Sequence, residues 1–290
     1  MDTMDSVLST SWSSEHVVIE KIDVSEWENG NKFCIVLHNI LTAEECQHLI
    51  DFSESKTYEP ALVNVGGGRQ KLMSDYRNND RFIHDDPVTM ELIWQRVLKA
   101  TNDHDQESHN TLLNIPFIND RMAKRGNHKV YHAVGLNERM RFLRYDPGTF
   151  FASHYDGSYM RSNEAGIERK GEQSFVTFQL YLNEGFQGGS TRFLSINDTT
   201  NHDEDVENET ATTTSTTWSN FLTPTKRRSS NRPHYNVIPH TGSVLLFQHD
   251  CCHEGAKLYK GRKYAIRSDV MYSNRDIGNE YSNQPVILNT

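Results

Sequence analysis

Four cysteines in 290 residues are too few to staple a chain of this size, and two of them, Cys251 and Cys252, are adjacent, a spacing that strains a mutual disulfide. All four therefore read as reduced thiols. No apolar run approaches the roughly 18 residues that a membrane-spanning helix needs. The N-terminal stretch from Met1 to Thr10 lacks both the basic and the apolar segment of a secretory leader, so a cytoplasmic location is expected, with a nuclear one as the alternative. The Asn197 and Asn208 glycosylation triplets then read as accidental. Basic excess is missing too: 39 acids against 30 bases leave a formal charge of −9. That balance argues against a protein whose main task is gripping nucleic acid or an anionic membrane surface. What remains is a globular chain with enough length and apolar content to bury one large core.

Along the chain, residues 1–30 are polar, with one short alternating run from Val17 to Ile22 that reads as an edge strand or part of a flexible tail. Residues 31–136 read as an elaboration of the same domain. Phe33 to His38 is a candidate buried strand, and a helix is expected from Thr42, where Thr42 and Glu45 have the spacing of a capping box. A second helix is expected from Pro87, which sits at a first helical position ahead of apolar residues at helical spacing. Gly66 to Gly68 lie in a loop between the two.

From Asn137 the pattern changes to short strands in series, separated by turn residues, over 137–273. The expected fold is therefore mostly β with flanking helices, around a jelly roll, or double-stranded β-helix, core. Residues 197–233, Thr-rich and acidic and then basic at Lys226, Arg227 and Arg228, break the series and read as a mobile insertion. The basic run also resembles a nuclear address, although a solvated loop tip explains it as well. Residues 274–290 form a C-terminal tail.

The chemistry-bearing residues are His154 and Asp156, two positions apart, and His253 far downstream. Along a strand, residues i and i+2 share a face, so His154 and Asp156 can reach one metal while Tyr155 points away. Two imidazoles and one carboxylate fill three sites on one side of an octahedron, which suits Fe(II) and leaves positions for a co-substrate and oxygen. An H-x-D triplet on its own arises often by chance; the surrounding residues decide its weight.

Those surroundings carry a family resemblance. The run Arg144-Tyr-Asp-Pro-Gly-Thr-Phe-Phe-Ala-Ser-His-Tyr-Asp-Gly resembles the first ligand segment of prolyl 4-hydroxylase-like, 2-oxoglutarate and Fe(II)-dependent dioxygenases. Thr177 to Glu184, Gly188 to Phe193 and Gly242 to Phe247 leading into His253-Glu-Gly are similar to that family's later segments, in the same order. The resemblance implies that His154, Asp156 and His253 hold Fe(II), and that 2-oxoglutarate and O2 are co-substrates, with ascorbate as the usual reductant. It further implies a basic anchor for the distal carboxylate of 2-oxoglutarate about ten residues after the last histidine. Lys263 is at 253 + 10, and Arg267 shares its parity along the strand and is its rival. Tyr145, Tyr181 and Thr191 match positions that line that pocket. One departure is the spacing 253 − 156 = 97, longer than the family's, which the 197–233 insertion accounts for.

The leading expectation is hydroxylation of a protein side chain, proline by analogy, with 2-oxoglutarate converted to succinate and carbon dioxide. A free amino acid or another small molecule is the alternative substrate. A binding module that kept the fold without turnover is a second class, and a zinc hydrolase a third, disfavoured by the absence of an H-E-x-x-H helix. Arginines in Tyr76-Arg-Asn-Asn-Asp-Arg and Leu136-Asn-Glu-Arg-Met-Arg read either as surface ion pairs or as recognition of an anionic or peptide substrate. No motif sets the oligomeric state.

Overall fold

The computed structural model describes residues 8, 12–24, 32–64, 69–126, 129–162, 166, 169–194 and 234–275. The insertion expected at 197–233, the glycines at 66–68 and nearly all of the 274–290 tail lie outside the described residues.

The alternating run near the N-terminus forms Val18–Lys21 (β1), which pairs antiparallel with Cys34–His38 (β2). Ala43–Glu54 (α1) begins where Thr42 and Glu45 satisfy each other's backbone N–H groups, at 3.2 and 2.8 Å. Three two-residue strands follow, Glu59–Pro60 (β3), Val63–Asn64 (β4) and Gln70–Lys71 (β5), and then Asp80–Asp85 (β6). Pro87–His104 (α2) starts at the expected proline, with Asp86 capping the Thr89 N–H at 3.0 Å. Gln106–Asn114 (α3), Pro116–Lys124 (α4) and His132–Leu136 (β7) complete this part. Sequence patterning passes over β6, α3, α4 and β7. The two helices have nine residues each and bury few side chains, and β6 carries charge at both ends, so neither periodicity is strong.

The second half contributes Arg139–Tyr145 (β8), Phe151–His154 (β9), Gln173–Tyr181 (β10), Gln187–Gly188 (β11), Thr191–Leu194 (β12) and His234–Val237 (β13). It ends with Val244–Gln248 (β14), His253–Gly255 (β15), Leu258–Lys260 (β16) and Lys263–Ser273 (β17). Among the described residues a large sheet has the order β1-β2-β14-β10-β17-β8-β6-β3, with β7 on β17, and a small one the order β13-β12-β15-β9. Strands β8, β10, β14 and β17 of the large sheet and β9, β12, β13 and β15 of the small one form a double-stranded β-helix.

The large sheet is covered on both faces. Leu180, Leu246 and Ile266 on one face pack with Leu49 of α1 and Ile93 and Val97 of α2. Tyr181, Leu245, Phe247 and Ala265 on the other pack with Phe193 and Val237 of the small sheet. Double coverage explains the apolar run of β14, which a half-exposed strand would interrupt with polar residues, and the burial of most of β10 despite Ser174 and Thr177. No described helix is long and apolar enough to cross a membrane, and all four cysteines are free and buried.

Candidate active site

Register places the site between the two sheets. His154 at the end of β9 pairs directly with His253 at the start of β15, so two residues 99 apart in the chain become cross-strand neighbours, a closeness that strand pairing imposes on side chains. Each imidazole directs its Nδ1 at a backbone carbonyl, His154 at Ala152 O (2.7 Å) and His253 at Cys251 O (3.0 Å). That contact sets the tautomer and leaves both Nε2 atoms as electron-pair donors facing one point. Asp156 completes the set, with its oxygens 3.8 and 3.7 Å from the two Nε2 atoms.

These three ligand atoms lie within 4.8 Å of one another. Burial pushes His154 down to about 3 and lowers His253 as well, so both rings are neutral and able to ligate. Burial by itself raises a carboxylic acid, but the opposing charge of Arg267 is the largest lowering influence and Asp156 is held well below the usual range. Two neutral imidazoles and one carboxylate, all convergent, are a donor set for a divalent first-row metal such as Fe(II).

The carboxylate is itself held. Thr177 Oγ1 on β10 donates to Asp156 Oδ2 at 2.5 Å, and Arg267 Nη2 on β17 contacts Oδ1 at 3.0 Å. Arg267 also reaches Asp269 at 3.2 Å, and Asp269 in turn faces Arg141 of β8 at 3.3 Å and His249 at 3.4 Å. Arg267, the sequence rival for the co-substrate anchor, is thus placed against a metal-ligand carboxylate. Asp269, Thr177 and His249 were not singled out from the sequence. Asp269 shares the strand parity of Lys263 and Arg267, which was the available signal.

Lys263 occupies a different place. It is 2 % exposed, donates from Nζ to Gly189 O at 2.6 Å, and lies 5.1 Å from the Tyr145 ring centroid and 5.4 Å from that of Tyr181. No carboxylate lies within ion-pair distance of it among the described residues, and burial pushes it down to about 7. Tyr181 donates to Thr191 Oγ1 at 2.8 Å, as does the Gln179 amide, so the four expected pocket residues Tyr145, Tyr181, Thr191 and Lys263 come together. Gly189 permits this approach. Its φ of +70° disfavours any other residue, and a notional Cβ would stand 3.0 Å from Leu258 Cδ1 and 3.2 Å from Phe186 Cε2.

Residues 140–268 match the model of the 2OG-Fe(II) oxygenase superfamily. This segment, less than half of the chain, is similar to that superfamily. The matched span runs from β8 into β17 and includes His154, Asp156, His253, Lys263 and Arg267. The chain is 25% identical over 175 residues to a probable prolyl 4-hydroxylase 8 of Arabidopsis thaliana and 26% identical over 175 residues to that plant's prolyl 4-hydroxylase 5. Both alignments cover 59% of this chain and 47% of the relative, so the chain spans about half the length of these curated relatives. Among solved structures, a Pseudomonas putida prolyl-4-hydroxylase aligns over 82% of this chain and 91% of its own, at 15% identity and a TM-score of 0.40.

Proposed function

We propose that this chain is a 2-oxoglutarate and Fe(II)-dependent dioxygenase that hydroxylates an unactivated C–H bond, most often of a peptidyl substrate, in the manner of prolyl 4-hydroxylases. The observation that carries the reading is the pairing of two incomplete sites on one inner surface. One is the convergent His154, Asp156 and His253 donor set; the other is a buried Lys263 with no acid within ion-pair distance among the described residues. A buried cation without a partner is costly, and a carboxylate arriving from a co-substrate offsets that cost.

Bound Fe(II) supplies oxygen activation coupled to conversion of 2-oxoglutarate to succinate and carbon dioxide. The chain's own residues do the rest. His154 and His253 present neutral Nε2 atoms, and Thr177 and Arg267 fix the Asp156 carboxylate in place. Lys263 takes the distal carboxylate between Tyr145 and Tyr181, a role that the engagement of Arg267 with Asp156 and Asp269 disfavours for Arg267. Ascorbate as reductant and a cytoplasmic setting accompany this reading.

Anaerobic addition of Fe(II) and 2-oxoglutarate to the protein is expected to give a weak visible charge-transfer band. His154→Ala should lower metal affinity by more than about a hundredfold, beyond the loss typical for an outer-shell residue, and remove the band. Tight Zn(II) binding with no such band in the parent protein would sink the oxygenase reading. Hydroxylation of a free amino acid is the second reading, favoured by the charge of the cavity wall described next.

A further inference from the structure

The turn before β6 is stitched to β9, the strand that ends in His154. Ala152 N–H donates to Tyr76 O (2.8 Å), Tyr76 Oη to Ser153 O (3.0 Å), and Phe150 N–H to Asn78 Oδ1 (2.7 Å). Between these anchors Arg77 forms a β-bridge with Phe151. Its guanidinium carbon lies 4.4 Å over the Phe151 ring, and that ring stacks on the His154 imidazole at 3.7 Å and 23°. Nε donates to Asn79 Oδ1 at 2.8 Å. The two Nη groups have no hydrogen-bond acceptor and no acid within ion-pair distance among the described residues, whereas Arg139 and Arg144 are paired with Asp85 and Asp80.

Charge around the cavity does not balance. Among the described residues, Arg77 and Arg267 act on Asp156, Arg141 and Arg267 share Asp269, and Lys263 has no acid within ion-pair distance. One carboxylate, Asp269, serves Arg141, Arg267 and His249 at once. A divalent metal and a dianionic co-substrate add charges that cancel, so two positive charges are left over when both are bound. Arg141 and Arg267 keep 22% and 18% of their side chains exposed and Arg77 is half-buried, so water meets part of that charge, and an acidic ligand that displaces this water supplies the partner instead. A guanidinium whose face lies on an aromatic ring keeps its edge for a planar, two-oxygen acceptor, and a carboxylate fits that geometry.

We propose that the substrate of this enzyme is acidic, with a carboxylate bound by Arg77 beside the metal. This inference rests on the function proposed above and specifies its substrate class. Arg77 acts as a specificity determinant: its fork fixes one end of the substrate over Phe151, and so places the neighbouring carbon toward the open side of the His154, Asp156 and His253 set. The carboxylate has two sources, the α-carboxylate of a small acid or an acidic side chain in a peptide.

Calorimetric binding to the protein loaded with Fe(II) and 2-oxoglutarate under nitrogen tests the inference with two matched pairs. N-acetylproline is compared with its amide, and a blocked hexapeptide containing proline and glutamate with its glutamine counterpart. At least one acid is expected to bind ten times tighter than its neutral partner or more, and Arg77→Gln should reduce that ratio below about three. Arg77→Lys, which keeps the charge and loses the fork, should retain part of it. Preference within the small pair assigns a free acid, and within the peptide pair an acidic side chain. Equal binding of acid and amide, no binding of any acid, or a preference that survives Arg77→Gln overturns the inference while leaving the oxygenase reading intact. Absence of the charge-transfer band in the parent protein overturns both.

Discussion

Two buried ionic clusters in this protein solve opposite problems. In the helical layer, Arg96 of α2 meets Glu45 of α1 in a fork, at 2.7 and 2.9 Å, with Arg96 also donating to Ile40 O at 3.0 Å. Glu45 uses the same carboxylate to close the capping box of its own helix. One acid meets one base, both are buried, and the contact locks helix to helix. At the candidate site, Arg141 and Arg267 share Asp156 and Asp269, and Lys263 has no carboxylate within ion-pair distance among the described residues. A matched pair is a structural fastener, whereas a mismatch kept in a closed core marks places where ligands bring the missing charge.

Breaking the matched cluster should have the largest effect. Arg96→Ala leaves Glu45 buried without its main cation and is expected to cost about 3–5 kcal/mol of stability, read as a lower denaturant midpoint. The charge-transfer band of the folded fraction should be unchanged. A loss under about 1 kcal/mol would show that the pair is not the fastener described here.

The mismatched cluster should respond with the opposite sign. Lys263→Met removes a buried cation, so the ligand-free protein should become more stable at neutral pH while 2-oxoglutarate affinity falls by about ten- to a hundredfold, the worth of a charge-assisted hydrogen bond. The pH dependence follows from the depressed amine. Between about pH 7 and pH 10.5 the unfolded chain holds a proton on Lys263 that the folded chain does not. Stability of the ligand-free protein therefore gains from this group as pH rises through that window, by up to about 1.4 kcal/mol per unit, a contribution that Lys263→Met should lack. In the same window 2-oxoglutarate affinity should fall as pH rises, because binding must then recruit the proton. Flat affinity from pH 7 to 9 would remove Lys263 as the anchor.

The smallest effect is expected where the clusters are partly balanced. Asp269→Asn frees Arg141 and leaves Arg267 acting on Asp156 alone, which should weaken metal affinity by about tenfold through the orientation of that ligand. Burial alone raises Asp269, but Arg267, His249 and Arg141 outweigh it and hold it at about 2. Its stabilising contribution is thus present above the ordinary carboxylate range and lost as pH falls from about 4 toward 2. An acid-unfolding midpoint that Asp269→Asn does not alter would assign that loss to other carboxylates, such as Glu138, also held at about 2.

Much of the core was legible because its signals are local. The Thr42 to Glu45 capping box, Pro87 at a helix start, and the apolar run of β14 each follow from neighbours in the chain. The candidate ligand residues were legible for the same reason, since His154 and Asp156 stand two residues apart and His253 lies in a recognisable run, although β9 ends at His154 and Asp156 follows it outside the strand. Strand β6 and helices α3 and α4 were not, because short elements with weak periodicity take their stability from what they pack against. His249 and Asp269 were missed: Asp269 offered only its strand parity and His249 no pattern, and their importance comes from the contacts of Asp269 with Arg267, Arg141 and His249.

The sequence by itself determined which groups carry chemistry and on which strand face each lies, because side-chain parity is a property of the extended chain. Tertiary structure alone decided how those groups divide the work. Parity put Lys263 and Arg267 on one face, yet pairing β17 with β8 and β10 set Arg267 beside Asp156 and Asp269, and left Lys263 among Tyr145, Tyr181 and Gly189. Partnership is a matter of distance across strands, which only the register of the folded sheet supplies.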